Sequence, residues 1–239
     1  MKYENIHKAT FIERPNRFIA LVSLDGKEVV SHVKNTGRCK ELLIPGATVY
    51  LNKPEGRERK TEYDLVAVEK ETANGKILIN MDSSAPNDAV AEWLPKSGLF
   101  AEGAIIRREV TKGNSRFDFM VTENVGSGDF TKVKSTFIEV KGVTLEDGGI
   151  AMFPDAPTER GVKHLFELSE LSAEGYGTAI IFVVQMKGIT AFKPNDATHA
   201  EFGKALRYAK DRGVRVLVYD SVIKPYSIEI DKPIDVLLD

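Results

Sequence analysis

The sequence predicts two modules: a small β-barrel of OB type over residues 1–82, then a mixed-sheet α/β module over residues 83–239. Three observations carry this. Short strand-like runs separated by turn signals fill the first eighty residues. Beyond them, strands alternate with helix-length apolar stripes. The strand-like runs of the second part also hold two carboxylates and a lysine among apolar neighbours.

In the first module, residues 3–12, 17–24, 28–34, 47–52, 64–71 and 76–81 read as strands. Asp25-Gly26 is a strong two-residue hairpin signal, and Asn74-Gly75 marks a second turn. Pro45-Gly46 leads into the run from Ala47 to Leu51. Five or six short strands in so few residues fit an OB barrel, a fold that often offers one face and its loops to oligonucleotides. Lys53–Thr61 carries Arg57, Arg59 and Lys60 and reads as an exposed basic loop. Asn35-Thr36-Gly37-Arg38-Cys39-Lys40 sits between strands. It suits either a tight turn or a backbone nest in which Arg38 and Lys40 grip a phosphate.

The polar stretch Asp82–Asp88 reads as a linker or helix lead-in, followed by a short helix to Leu94. The single tryptophan, Trp93, fits module packing better than base stacking. In the second module 105–110, 116–122, 135–142 and 150–153 read as strands. Pro157–Glu174 reads as a helix with a stripe of Val162, Leu165, Phe166 and Ser169, closed by Gly175. A buried strand at 178–185, a helix at 196–212 ending at Gly213, a strand at 214–219 and an edge strand at 227–230 complete the order.

Composition narrows the function. The chain has 239 residues, 42% hydrophobic, with a net charge of −2. Residues 1–80 hold 14 Lys/Arg against 11 Asp/Glu, and the remainder 19 against 24. A basic first module beside an acidic second one fits a binding platform next to a metal-dependent site, and ordinary surface charge fits as well. One cysteine, Cys39, excludes an internal disulfide framework and suits a reducing compartment. No signal-peptide pattern and no apolar run of about 18 residues occur, so a cytoplasmic protein without a membrane partner is expected. A Gly-rich phosphate loop, zinc-ligand spacing and a nucleophile elbow are all missing, which sets aside ATPases, zinc enzymes and serine hydrolases.

The candidate chemistry lies between Glu109 and Lys141. Asp118 interrupts one apolar strand, and Glu139-Val140-Lys141 lies on the next. Glu139 and Lys141 share a face roughly 7 Å apart, at about 3.3 Å per residue. Carboxylates hold a hard cation through oxygen, and a lysine can activate water or stabilise charge on a phosphate. Glu109 lies on the preceding strand within reach of the same place. Arg160, Lys163 and His164 fall near the start of the following helix, where a phosphate is favoured. The bland alternative is an ion-pair network joining Lys141 to Asp118 or Glu139, and Arg116 to Glu109.

Nearly the whole chain resembles the sugar fermentation stimulation protein A family. The resemblance rests on Asn35-Thr36-Gly37-Arg38, Leu42-Leu43-Ile44-Pro45-Gly46, Ser115-Arg116-Phe117-Asp118, Ile138-Glu139-Val140-Lys141, the run Phe153 to Gly161, and Lys163-His164-Leu165. It implies DNA binding by an OB-like N-terminal domain and a restriction-endonuclease-like second domain similar to PD-(D/E)xK nucleases. Matched by position, Asp118, Glu139 and Lys141 form that nuclease core. Glu109 matches the acidic residue often ahead of it, and Phe117 departs from the motif's proline. The reading is then a DNA-binding, Mg²⁺- or Mn²⁺-dependent phosphodiesterase. Asp118, Glu139 and the Val140 carbonyl would hold the ion, with Glu109 completing the shell or orienting water. Arg38, Lys40, Arg57, Arg59, Lys60, Arg116, Arg160, Lys163 and His164 would contact nucleic acid. Two alternatives stay open: a non-catalytic DNA-binding regulator of sugar metabolism genes on the same scaffold, and a metal-dependent enzyme acting on a small phosphate or sugar metabolite. RNA as a partner and a homo-oligomer stay open too.

Overall fold

The structure is a computed structural model that describes residues 1–35, 37–55, 60–73, 75–126 and 132–238. Six strands come first: β1 (Ile6–Asn16), β2 (Ile19–Leu24), β3 (Lys27–Val33), β4 (Thr48–Asn52), β5 (Tyr63–Thr72) and β6 (Gly75–Asn80). The pairings β1–β2, β2–β3, β3–β5, β5–β4 and β4–β1 close a ring of five strands, with β6 added beside β5. This is the OB arrangement expected from the sequence. Asp25 (φ +51°) and Gly26 (φ +77°) both take left-handed backbone, as a primed hairpin turn between β2 and β3 requires. Period-two alternation turns Ala9, Phe11, Ala20, Val22, Val49 and Leu51 into the ring. Asn74, Arg57 and Arg59 lie outside the described residues.

After α1 (Ala85–Trp93) the strands are β7 (Ile105–Lys112), β8 (Ser115–Val125), β9 (Lys132–Val143), β10 (Leu145–Asp147) and β11 (Ile150–Phe153). Then come α2 (Glu159–Ala173), β12 (Gly177–Val184), β13 (Ala191–Pro194), α3 (Asp196–Asp211), β14 (Arg215–Lys224), β15 (Ser227–Pro233) and β16 (Asp235–Val236). One six-stranded sheet runs β15-β14-β12-β9-β8-β7, with β9, β12 and β14 parallel and the outer strands antiparallel. α1 and Leu94 just after it cover one face, packing Ala85, Ala89, Val90 and Leu94 with Phe119, Ile138, Val140 and Ile181. α2 and α3 contribute Leu165, Leu168, Phe202 and Leu206 to the other core, with Phe117, Ile180 and Phe182. β12 is buried on both faces from Thr178 onward, which is why its sequence reads as a continuous apolar run.

Two expectations need correction. Sequence periodicity put Phe166 on the buried stripe of α2, but it is exposed, and the buried set is Gly161, His164, Leu165, Leu168, Ser169 and Leu171. The stripe is rotated by about one residue, which turns His164 inward. The strand expected at 150–153 is β11, but it belongs to a second sheet, β10-β11-β13-β16, whose other strands of two to four residues carry no period in the sequence. Trp93 packs on Tyr219 of β14, ring centroids 4.6 Å apart. Phe182 is fully buried and stacks among Phe153, Phe192 and Phe202. Phe182→Ala should cost about 3–5 kcal/mol, read from denaturant unfolding. A cost under 1 kcal/mol would mean that this aromatic core is not tightly packed.

Candidate metal centre

The geometry begins where two strands part. β8 and β9 pair in register from Val125↔Lys132 to Phe119↔Ile138, and the ladder ends there. One residue on, Asp118 Oδ2 accepts the Val140 N–H at 2.7 Å, so a side chain replaces the neighbouring strand's carbonyl. The N–H and C=O of one strand residue point to the same edge, so the Val140 carbonyl faces this gap too. Asn87, on the first turns of α1, donates Nδ2 to Asp118 Oδ1 at 2.7 Å. Asp118 is thus fixed from both sides by groups more than 20 residues away in sequence.

Glu139 is 3% exposed. Its Oε1 accepts Lys141 Nζ at 2.5 Å and lies 2.5 Å from His164 Nδ1. His164, itself 3% exposed, meets the Arg160 Nε–H at Nε2, 3.4 Å away. With Nε2 accepting, a neutral His164 carries its proton on Nδ1 and donates it to Glu139. Glu139 Oε2 is buried and has no hydrogen-bond partner. One oxygen of this carboxylate is therefore doubly engaged while the other is buried and unused. A buried acceptor left unmade is costly.

The two carboxyls respond in opposite ways. Burial raises the Asp118 carboxyl above its usual range, and the Glu139 charge adds to this. The Val140 N–H, Lys141 and Asn87 pull it back only in part. Burial pushes Glu139 up as well, but the His164 hydrogen bond and the charge and hydrogen bond of Lys141 outweigh it and hold Glu139 below its usual range. Asp118 is thus the carboxyl whose charge its neighbours offset least.

The structure brings Asp118, Glu139, Val140, Lys141, Arg160 and His164 together. It does not bring Glu109. That residue lies between the pairs Arg108↔Phe119 and Val110↔Phe117, yet the ladder skips it. Its φ of +55° takes it out of the pleat, and its side chain pairs in solvent with Arg116 Nε at 2.8 Å. His164 is buried against Glu139 and presents no edge to a phosphate, which corrects its expected place at a nucleic-acid surface. Lys163 reaches the Asn114 carbonyl, 3.3 Å away on the β7–β8 turn, and not the gap. Both pairs of the ion-pair network, Lys141–Glu139 and Arg116–Glu109, do form. In the segment that suits either a tight turn or a nest, the Gly37 N–H bonds Asn35 Oδ1 at 2.8 Å and the Arg38 N–H bonds the Asp155 carboxylate. Arg38, Lys40 and Lys60 are exposed. Asn87 was missed, since nothing in a polar helix lead-in marks one asparagine as reaching a strand. Among the described residues no group of three or more His, Cys, Asp or Glu side chains is placed to hold a metal ion by itself. Nor, among them, is any helix long and apolar enough to cross a membrane.

A ring of OB order ahead of a mixed sheet whose strands fork at paired carboxylates defines a two-part scaffold of restriction-endonuclease-like class. The family model described as "SfsA N-terminal OB domain" matches residues 12–80, and "Sugar fermentation stimulation protein RE domain" matches residues 84–227. The chain belongs to the sugar fermentation stimulation protein family. It is 52% identical over 238 residues to sugar fermentation stimulation protein homologs of Clostridium beijerinckii and Ruminiclostridium cellulolyticum, covering all of each chain. The solved structure of Pyrococcus furiosus SfsA in complex with Ca²⁺ superposes with a TM-score of 0.81 at 26% identity, over 99% of this chain and 98% of that one.

Proposed function

We propose that this protein hydrolyses phosphodiester bonds in DNA with a Mg²⁺ or Mn²⁺ ion held by Asp118, Glu139 and the Val140 carbonyl. The observation that carries the reading is Glu139 Oε2, buried and unpartnered beside Asp118 where β8 and β9 separate. Two carboxylates and a backbone carbonyl are a partial shell. That fits Mg²⁺, which keeps waters and substrate oxygens and seldom takes an all-protein cage. The Asp118 charge, offset only in part by its neighbours, favours a cation. The complex of Pyrococcus furiosus SfsA with Ca²⁺ supports a divalent ion on this scaffold.

Such an ion supplies Lewis acidity toward a phosphoryl oxygen and lowers the pKa of water. The residues of the chain prepare the place. Asn87 and the Val140 N–H fix the Asp118 carboxylate, and His164, backed by Arg160, fixes Glu139. Lys141 carries three N–H donors. It can keep its bond to Glu139 and turn another toward charge developing on the phosphate.

Incubation of DNA and RNA with Mn²⁺ tests this. The parent should produce cleavage products that EDTA abolishes, and Asp118→Ala should cleave slower by about 10²–10³-fold or more. Equal rates for the two proteins would end this reading.

A further inference from the structure

We infer that a cleft along the free edge of β9 is a specificity pocket for one cytosine-type ring, planar and six-membered, with an amino group and a ring carbonyl. β9 loses its β8 partner beyond Ile138, and no strand takes up that edge afterwards. Strand residues two apart turn their backbone groups to the same edge, so Gly142 follows Val140 there. The step is about 7 Å, at about 3.3 Å per residue, which puts the cleft directly beside the metal centre. It encloses about 150 Å³. That volume takes a single six-membered ring.

Gln185 supplies the observation that points to a ligand. It is 1% exposed, just after β12. Its Nε2 donates to the Asn80 carbonyl, Asn80 Oδ1 and the Asp82 carbonyl at 2.8–3.2 Å. These bonds fix the amide one way round. Oε1 then lies over the Gly142 backbone, where a Cβ would stand 2.3 Å from it, and Gln185 and Gly142 both line the cleft. Among the described residues nothing donates to Oε1. A buried acceptor without a donor is costly, so a ligand N–H is favoured there.

The other polar groups narrow the ligand. Asp155 lines the cleft, and its two oxygens have acceptor capacity beyond the Ala156 and Arg38 N–H groups they take. Asn35 Oδ1 is spent on the Gly37 N–H at 2.8 Å, which leaves its Nδ2 to donate. No lysine or arginine lines the cleft among the described residues, so a phosphate or carboxylate finds no counter-charge. Two acceptors suit an exocyclic amino group, and the amide donor suits a ring carbonyl. Uracil and thymine place a carbonyl where cytosine has its amino group and would leave Gln185 unpaired. Met152 and Phe153 give the ring apolar walls. The inference rests on the phosphodiesterase reading for taking the ring as a nucleobase, and its test separates the two.

Binding of cytidine and uridine to the full-length protein is measured in EDTA by calorimetry. Cytidine should bind about tenfold tighter or more. Gln185→Met should erase that difference, and Asp155→Asn should narrow it, with thermal melts confirming that both variants fold. A second arm maps Mn²⁺-dependent cuts in oligothymidylate carrying one central deoxycytidine. The parent should cut beside the deoxycytidine, and Gln185→Met should cut without preference. Hydrolysis of bis(p-nitrophenyl) phosphate, which has no base, should be unchanged in both variants. Equal binding of the two nucleosides together with evenly spread cuts would overturn the cleft and leave the phosphodiesterase reading standing. A cytidine preference that survives in both variants would overturn it too. Cuts placed at deoxycytidine without binding of free cytidine would uphold the cleft as a subsite for a base within a strand. A cytidine preference lost in Gln185→Met, with no ester hydrolysed by the parent, would uphold it as a nucleoside site and remove the phosphodiesterase reading.

Discussion

Asp118→Asn and Glu139→Gln are expected to abolish the same activity and to move stability in opposite directions. Both remove a carboxylate of the proposed metal site, so both should lower Mn²⁺-dependent cleavage by about 10²–10³-fold or more. Their effects on folding differ because their pKa shifts differ in sign. Asp118 is held above its usual range by burial and the Glu139 charge. The folded state therefore binds its proton more readily than the unfolded chain does. Stability is favoured below the ordinary aspartate range and is lost as pH rises through the raised folded value. The neutral amide removes that cost at pH 7, and Asn87 can turn its own amide to accept from it. A gain of about 1 kcal/mol would raise the midpoint by roughly 2–4 °C. Glu139 is the reverse case. His164 and Lys141 hold it below its usual range against burial, so its contribution is complete above the ordinary glutamate range and fades as pH falls through the lowered value. Glu139→Gln gives up two charge-assisted bonds and should lose about 1.5–3 kcal/mol at pH 7. Thermal melts of the apo proteins across pH 4–8 check both. A pair of variants that both destabilise, or that converge only near pH 8, would contradict the opposite shifts assigned to the two carboxyls.

The larger loss of stability should follow Asp82→Ala, at about 3–5 kcal/mol. Asp82 is fully buried where β6 gives way to α1. Its Oδ2 accepts Lys34 Nζ at 2.5 Å and Tyr3 Oη–H at 3.3 Å, and its Oδ1 accepts the Ser84 N–H and Oγ–H. Its carbonyl, with Asn80, takes up the Gln185 amide at the end of β12. Burial and the Asp82 charge keep the Tyr3 hydroxyl protonated far above its usual range. Removing the carboxylate takes the acceptor from Lys34, from the buried Tyr3 hydroxyl and from the Ser84 N–H and Oγ–H. Asn87 lies on the helix that Asp82 anchors, so the variant should also loosen Asp118. Chemical unfolding would show a loss under 1 kcal/mol if solvent can replace these partners.

Much of the fold was legible because its signals are local. Asp25-Gly26 dictates its hairpin by backbone conformation, and Gly175 and Gly213 end their helices at φ +92° and +89°. The apolar run of β12 announces a strand buried on both faces. The site was legible in part, since carboxylates in apolar strands need partners. What stayed hidden depends on single angles or on distant contacts. A left-handed φ at Glu109 turns that residue from the gap toward Arg116, and no pattern of residue types reports one dihedral. A rotation of about one residue in α2 separates a surface histidine from one bonded to Glu139. Asn87 and Asp118 meet only because α1 lies across the sheet.

The close approach of Asp155 to the loop after β3 constrains how this protein can be rebuilt. A Cβ on Gly37 would sit 1.8 Å from Asp155 Oδ2. Glycine at 37 and the carboxylate at 155 therefore act as a lock and its key across the seam between ring and sheet. A chimera that grafts the ring of one relative onto the sheet of another will dock cleanly only when the ring donor has glycine at 37 to meet the carboxylate at 155 of the sheet donor.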